Sequence, residues 1–492
     1  MLKNIENKDI LGRGLIILSF ILFFIIIFLP AMKLLFNIDE YFTLGIIKAP
    51  LLHGITMTAN DVHPPLYYMI LKAFLKIVSV LNINVDFIYL SKIITALPYL
   101  IIIIISSTKI KKEYNWITSG IFAISLIAFS GFFEYYITMR MYSWSILFLV
   151  LSFIYLKDVL IKSDLKSWFL LSLFTILGAY THYFNIISSI ALYLLLFAYI
   201  LFNKETFTNA KLEVKKWTIS VLAISLSYSP WIFVILNQLG KHENYWIPQI
   251  DMNIFLSCIC YFSIKFSDFT FQIISILLLL TFSLIALYKF KNKRDLENYY
   301  ILMSISIFIL TIVFGIIISL TVKPIIRYRY LMASVGVLWL GISILVGKIE
   351  NNYLQIASIL IILLLAISGF SDMIHTYNKS YDLGTANKEF FDSVNNNDTV
   401  VVTKLESKSL SFRPILDKVR FYSNKNHLFG LSKKEQKEIF NLSYSSNLNE
   451  TIEENREKNI YVIQDKNETS DLVEENNPIH IIGRKTYFYK VN

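Results

Sequence analysis

Only two cysteines occur in 492 residues, and both lie in the triplet Cys258-Ile259-Cys260. Thiols that close in sequence are poorly placed to pair, so no stabilising disulfide is expected in any compartment and both read as small apolar core residues. No H-E-x-x-H run and no cysteine pair with metal-binding spacing is present, which removes the strongest sequence signatures of a metal centre. No internal repeat marks a solenoid. The apolar run after the basic lead at Lys3 is about twenty residues long, too long for a signal-peptide core, and ends without a small-residue cleavage site, so it reads as a retained anchor.

Apolar side chains are abundant instead. They make up 55% of the chain, with a mean hydropathy of +0.55, against roughly 45–50% in an average soluble domain. The excess falls in blocks such as Leu15 to Leu35, Phe87 to Ser107, Trp116 to Phe133, Met141 to Leu156, Phe271 to Phe290 and Tyr300 to Leu320. Runs near twenty residues match the thickness of a bilayer. The chain is therefore expected to be a polytopic α-helical membrane protein. Its net charge of +10 would suggest nucleic acid if the bases lay on a soluble part, but from Asp372 onward 17 bases face 18 acids. The remainder holds 29 bases and 18 acids, the bases mostly in short turns between apolar runs, as cytoplasmic turns demand. Nucleic acid is not an expected partner.

With Lys3, Lys8 and Arg13 in the cytoplasm, about 11 transmembrane helices alternate across the bilayer, and the soluble tail ends on the extracytoplasmic side. The Pro64-to-Val80 segment is short and carries Lys72 and Lys76 on one helical face. Laid in the interface as an amphipathic helix, it keeps the later basic turns inside; crossing would turn them outward. A transmembrane domain is thus expected over 1–371, with its first outer loop at 36–86. Residues 372–492 should form a small extracytoplasmic α/β domain, with a helix at Ala386–Val394 and strands at D-T-V-V-V-T, N-I-Y-V-I-Q-D and the run from Ile479 to Val491. The sequons at Asn378, Asn397, Asn441, Asn449 and Asn467 read as products of an Asn-rich composition. No organelle signal is seen, and a multi-pass plasma-membrane location follows.

This topology gathers chemistry on one face. Asp39, Glu40, Asp61, His63, Glu134, Arg140, Tyr142, His182, Tyr183, Arg327, Arg329 and Tyr330 all map to the outer surface. Of the acidic pair Asp39-Glu40, one carboxylate can act as general base while its neighbour raises its pKa or positions an acceptor. The bland alternative is a solvated loop start. Pro64 and Pro65 suit the first turn of a helix, which leaves His63 unexplained and makes it a ligand-binding candidate. Arg327-Tyr328-Arg329-Tyr330 stands on the side where basic residues are disfavoured, so an anionic ligand explains it better than an interfacial anchor; guanidinium grips phosphate in two-pronged fashion. Arg140 can join that grip or pair with Glu134. His182 sits at a short hairpin tip with Tyr183. A divalent metal on His63, His182 and a carboxylate is the weaker alternative, and no obligatory cofactor is expected.

N-I-D-E-Y-F, D-V-H-P-P-L-Y-Y, M-R-M-Y-S, T-H-Y-F and R-Y-L, in that order, resemble the polyprenyl-phosphate-dependent glycosyltransferases of the GT-C fold. Within them the likeness is to the family of protein O-mannosyltransferases, aminoarabinose transferases and RgtA/B/C/D-like enzymes, over about residues 10 to 370. The resemblance implies that Asp39 is the catalytic base and Glu40 its helper. It implies that Arg329 and Tyr330, with Arg327 and Arg140, hold the donor phosphate. His63, Tyr142, His182 and Tyr183 would contact substrate. The expected reaction moves a sugar from a polyprenyl-phosphate donor to a hydroxyl on a glycan, lipid or protein acceptor, with inversion. A lipid or glycan transporter is the alternative, but it wants charge at mid-membrane depth, and the apolar runs are nearly free of it.

Overall fold

The structure, a computed structural model, describes residues 2–28, 38–83, 87–128, 138–202, 210–240, 247–263, 269–403, 418–423, 433–465, 478–482 and 486–491. The chain divides into two compact units, Met1–Leu29 with His63–Met373, and Pro30–Val62 with Ile374–Asn492.

Apolar runs of membrane-spanning length become helices in the first unit, because a helix satisfies every backbone donor and acceptor within one segment. In chain order, α1 is Leu2–Phe28, α2 Ile38–Lys48 and α3 Leu51–Asn60, the last two belonging to the second unit. Then come α4 (Leu66–Val80), α5 (Phe87–Glu113), α6 (Trp116–Ala128), α7 (Tyr142–Lys162), α8 (Leu165–Ala179), α9 (Tyr183–Phe202) and α10 (Ala210–Gly240). The short α11 (Met252–Cys260) precedes α12 (Phe269–Asn292), α13 (Leu296–Thr321), α14 (Met332–Gly347) and α15 (Asn352–Ala386). Among the described residues, eight helices are long and apolar enough to cross a membrane, and α6 and α8 are shorter apolar helices. With the 27-residue α1, these fall at the expected spans. The protein is a polytopic membrane protein.

Small residues set the closest helix crossings, as is usual where no hydrophobic drive between helices exists. A Cβ on Gly120 would sit 2.6 Å from the Gly12 carbonyl oxygen, so α1 and α6 pack backbone to backbone. Nearly every side chain of α14 is buried, and α7 and α13 pack against it. Tyr300 of α13 stacks on Phe153 of α7 at 4.1 Å and donates to the Phe153 carbonyl at 2.8 Å. Cys258 and Cys260 are free, buried thiols in α11.

The amphipathic α4 buries Tyr67, Tyr68, Leu71 and Leu75 on one face, and it is not among the long or shorter apolar helices that match membrane spans. The eleventh apolar run does not stop near Phe370. It continues as one 35-residue helix to Ala386, so the tail is reached through a helix. The helix expected over Ala386–Val394 begins instead after Asn387, as α16 (Lys388–Val394).

The second unit holds a six-stranded sheet of order β3-β2-β1-β4-β6-β5. Its strands are β1 (Thr399–Thr403), β2 (Arg420–Ser423), β3 (Leu442–Tyr444), β4 (Asn459–Asp465), β5 (His480–Ile482) and β6 (Thr486–Lys490). The first four are parallel, with Val401 opposite Phe421 and Tyr461; β6 runs antiparallel to β4, with Val462 opposite Tyr489. Parallel pairing needs crossovers, and α17 (Lys433–Phe440) and α18 (Leu448–Glu454) lie between β2 and β3 and between β3 and β4. Val400, Val402, Ile460 and Val462 pack with Leu448 and Ile452 as the core.

Candidate active site

Two prolines set up the site. Pro64 and Pro65 are buried at the start of α4, where a fixed φ and a missing donor suit a helix start. The next residue, Leu66, donates its backbone N–H to the Tyr180 carbonyl at 3.0 Å, tying α4 to the tip between α8 and α9. That bond brings His63 and His182 together, with ring centroids 5.7 Å apart.

The α8–α9 tip is itself tightly specified. Thr181 and His182 both donate backbone N–H groups to the Gly178 carbonyl at 3.0 Å. A Cβ at Gly178 would lie 2.7 Å from the Asn185 amide nitrogen, so this close turn needs glycine. Asn185 then exchanges two hydrogen bonds with Ser145 of α7: Ser145 Oγ donates to Asn185 Oδ1 at 2.7 Å, and Asn185 Nδ2 donates to the Ser145 carbonyl at 3.1 Å. This buried reciprocal pair locks the start of α7 to the start of α9. Tyr142, at that start, lies 5.7 Å from His182.

The remaining wall comes from the chain before α14. Ser319 Oγ accepts the backbone N–H groups of Ile325 and Ile326 at 3.0 and 3.1 Å, which turns the strand-like segment into a short 3-10 turn, Tyr328–Leu331. Tyr330 points from that turn to His182, 5.1 Å away, to Phe184 at 5.4 Å, and to Tyr142 and His63, both at 6.5 Å. The Arg329 guanidinium stands 5.6 Å from the Tyr330 ring. Arg140 is buried, and its Nη1 donates to the Tyr68 hydroxyl at 3.1 Å.

Six of the twelve candidate residues thus meet in one cluster: His63, Arg140, Tyr142, His182, Arg329 and Tyr330. Two guanidinium charges act on both imidazoles. Burial and then the charge of Arg140 hold the His63 imidazole well below its usual pKa, with His182 and Arg329 adding to the effect. Burial, Arg140 and Arg329 push His182 down to about 3. Both rings are neutral at physiological pH. His182 Nδ1 accepts the Phe184 backbone N–H at 3.1 Å, so its one proton sits on Nε2 and that atom is a donor. A positive field with neutral N–H and O–H donors is chemically suited to an oxyanion.

Two of the other candidates, Tyr183 and Arg327, make contacts outside this cluster. Tyr183 faces α10, accepting from Trp231 Nε1 at 3.0 Å and donating to Gln238 Oε1 at 2.7 Å. Arg327 lies close enough to Cys258 to oppose the upward push that burial gives that thiol, which rests at about 12; its neighbour Tyr328 packs on Tyr261 at 5.1 Å. Asp39 and Glu40 belong to the second unit. There they form the first turn of α2, where acidic side chains oppose the helix dipole favourably. Glu40 is 3% exposed, which removes the solvated-loop reading for that residue. Glu134 lies outside the described residues. Among the described residues no group of three His, Cys, Asp or Glu is placed to hold a metal ion.

Sequence reasoning passed over several buried residues. Lys92 is 1% exposed in α5, one turn before Thr95, whose hydroxyl is bonded to Tyr67 at 2.7 Å. Its position in an apolar helix was the available signal, since an ammonium there is functional by default. Phe184, Ser145 and Asn185 carry no chemical signature in sequence; only their packing reveals them.

No protein-family model and no curated protein sequence matches this chain. Among solved structures, it is similar to the Archaeoglobus fulgidus oligosaccharyltransferase in the apo form, at 10% identity and a TM-score of 0.49, over 92% of this chain and 69% of that one. It is similar to ArnT from Cupriavidus metallidurans in the apo state, at 9% identity and a TM-score of 0.49, over 97% and 98% of the two chains. A third likeness, at 10% identity and a TM-score of 0.46 over 92% and 69%, is to the archaeal oligosaccharyltransferase AglB from Archaeoglobus fulgidus in complex with an inhibitory peptide and a dolichol-phosphate.

Proposed function

We propose that this protein is a membrane glycosyltransferase that moves a sugar from a polyprenyl-phosphate donor to a hydroxyl acceptor on the extracytoplasmic side. One observation supports this most: Arg140 and Arg329 both act electrostatically on the neutral His63–His182 pair, at one end of a bundle of membrane helices. A lipid phosphate reaches such a place from within the bilayer.

In this reading the acceptor hydroxyl attacks the anomeric carbon as Asp39 takes its proton, and Glu40 positions the acceptor. The bond from the anomeric carbon to the phosphate oxygen breaks on the opposite side. Polyprenyl phosphate leaves with the electron pair, and configuration inverts in the single displacement. Arg329 and Arg140 stabilise the charge growing on that phosphate, where preorganised cations lower the barrier most. The Nε2–H of His182 and the hydroxyls of Tyr142 and Tyr330 are donors to the same phosphate or to the sugar.

Donor binding in lipid nanodiscs tests the phosphate role. Hydrogen bonds to charged groups contribute about 1.5–3 kcal/mol. Arg329→Gln should therefore weaken binding of a polyprenyl-phosphate sugar roughly ten- to hundredfold, and should weaken binding of the bare polyprenyl phosphate equally. Wild-type affinity in Arg329→Gln would remove the phosphate from this cluster.

A further inference from the structure

At the end of the bundle opposite the His63–His182 cluster, α12, α14 and α15 leave a cavity of about 750 Å³ between them. The sixteen residues of α14 separate the two places, a rise of about 24 Å. That distance approaches the thickness of a bilayer core. The cavity walls combine Phe282, Ile285, Leu345 and Leu354 with Lys289 and Lys348. Such a volume suits an organic ligand.

Charge and surroundings narrow the occupant. Lys348 is held by Glu297 of α13. Lys289 is half-buried and makes no ion pair among the described residues. The carboxylate on the cavity rim, Glu350, belongs to an exposed residue. Lys291, Lys293 and Arg294 follow Lys289 closely, and of these Lys293 pairs with Asp295 at 3.0 Å. The mouth is therefore positive. Only 17% of the apolar window of α12 and 28% of that of α15 are buried, so the two helices beside the cavity present apolar side chains to acyl chains. A ligand with a negative head and apolar tails fits both conditions, as basic pockets between membrane helices take anionic lipid headgroups.

We propose that this cavity binds an anionic glycerophospholipid of the leaflet opposite the candidate active site. Its phosphate rests on Lys289 and Lys348, and one acyl chain follows Phe282 and Ile285. The site is independent of the transferase reading.

Native mass spectrometry of the purified full chain, with dioleoyl phosphatidylglycerol and dioleoyl phosphatidylcholine supplied at equal concentration, tests it. The wild type should retain phosphatidylglycerol in preference. Lys289→Ala should cut that preference roughly fivefold, the factor for about 1 kcal/mol per lysine at an anionic surface. Lys162→Ala, a base in a different turn, should leave it unchanged. Ser358→Trp fills the lipid-facing wall without changing charge and should lower retention of phosphatidylglycerol as well. Equal retention of the two lipids by the wild type would overturn the proposal. So would equal effects of Lys289→Ala and Lys162→Ala, or displacement of phosphatidylglycerol by millimolar inorganic phosphate, which would make the site one for free anions.

Discussion

His63 and His182 stand 5.7 Å apart in the same positive field, and this has a consequence for stability. In the unfolded chain each imidazole binds a proton near pH 6.5. In the fold neither does, and His182 accepts one only near pH 3. Between those values the unfolded state holds more protons, so stability falls as pH drops below about 6.5 and is flat above it. The slope is up to about 1.4 kcal/mol per pH unit for one histidine. His182→Gln should therefore unfold with a shallower acid limb than the wild type between pH 6.5 and 4, measured as melting temperature in detergent. Identical limbs would show that His182 is protonated in the folded protein. The residue types at this cluster were legible in sequence because Arg, His and Tyr on a membrane surface need a reason. Lys92 was overlooked because a single lysine does not interrupt an apolar run.

Helix ends, rather than helix interiors, position the site. The Ser145–Asn185 exchange and the glycine at 178 hold the starts of α7 and α9 in register, and the Leu66 to Tyr180 bond adds α4. Asn185→Leu keeps the volume but strands two buried Ser145 groups, a cost of about 1–3 kcal/mol each when unsatisfied. It should lower the melting temperature by several degrees and reduce donor affinity, although Asn185 itself contacts no donor in this reading. A variant with lowered melting temperature and wild-type donor affinity would separate the pair from the site. At this scale the sequence was uneven. Twenty-residue apolar runs announce spans, and β1 and β4 showed as Val- and Ile-rich stretches. Strands β2 and β3 span four and three residues, too short to show a period of two. The run from Ile479 to Val491 looked like one strand and is two, paired antiparallel with Tyr487 opposite Ile481.

At the scale of the molecule, alternation of the spans predicts that the α12–α13 turn faces the cytoplasm and the chain after α13 faces outward. The native thiols are buried, so they give little background in a labelling experiment. A membrane-impermeant maleimide should label Val322→Cys in intact cells and Lys291→Cys only after permeabilisation; both positions are exposed. The reverse pattern would invert the topology and place the His63–His182 cluster in the cytoplasm. The positions of the long apolar helices were readable because hydropathy is a local signal. The meeting of His63, Arg140, His182 and Arg329 was not, since it joins positions far apart in sequence through bonds between loops.

Release of polyprenyl phosphate from a panel of polyprenyl-phosphate sugars, by purified protein in lipid, is the most direct test of the transferase reading. The wild type should turn over one donor in the presence of a hydroxyl acceptor. Asp39→Asn should bind that donor with unchanged affinity and release polyprenyl phosphate at least a hundredfold more slowly, the lower range of what a positioned general base contributes. Wild-type turnover by Asp39→Asn would contradict the assignment of Asp39 as the base.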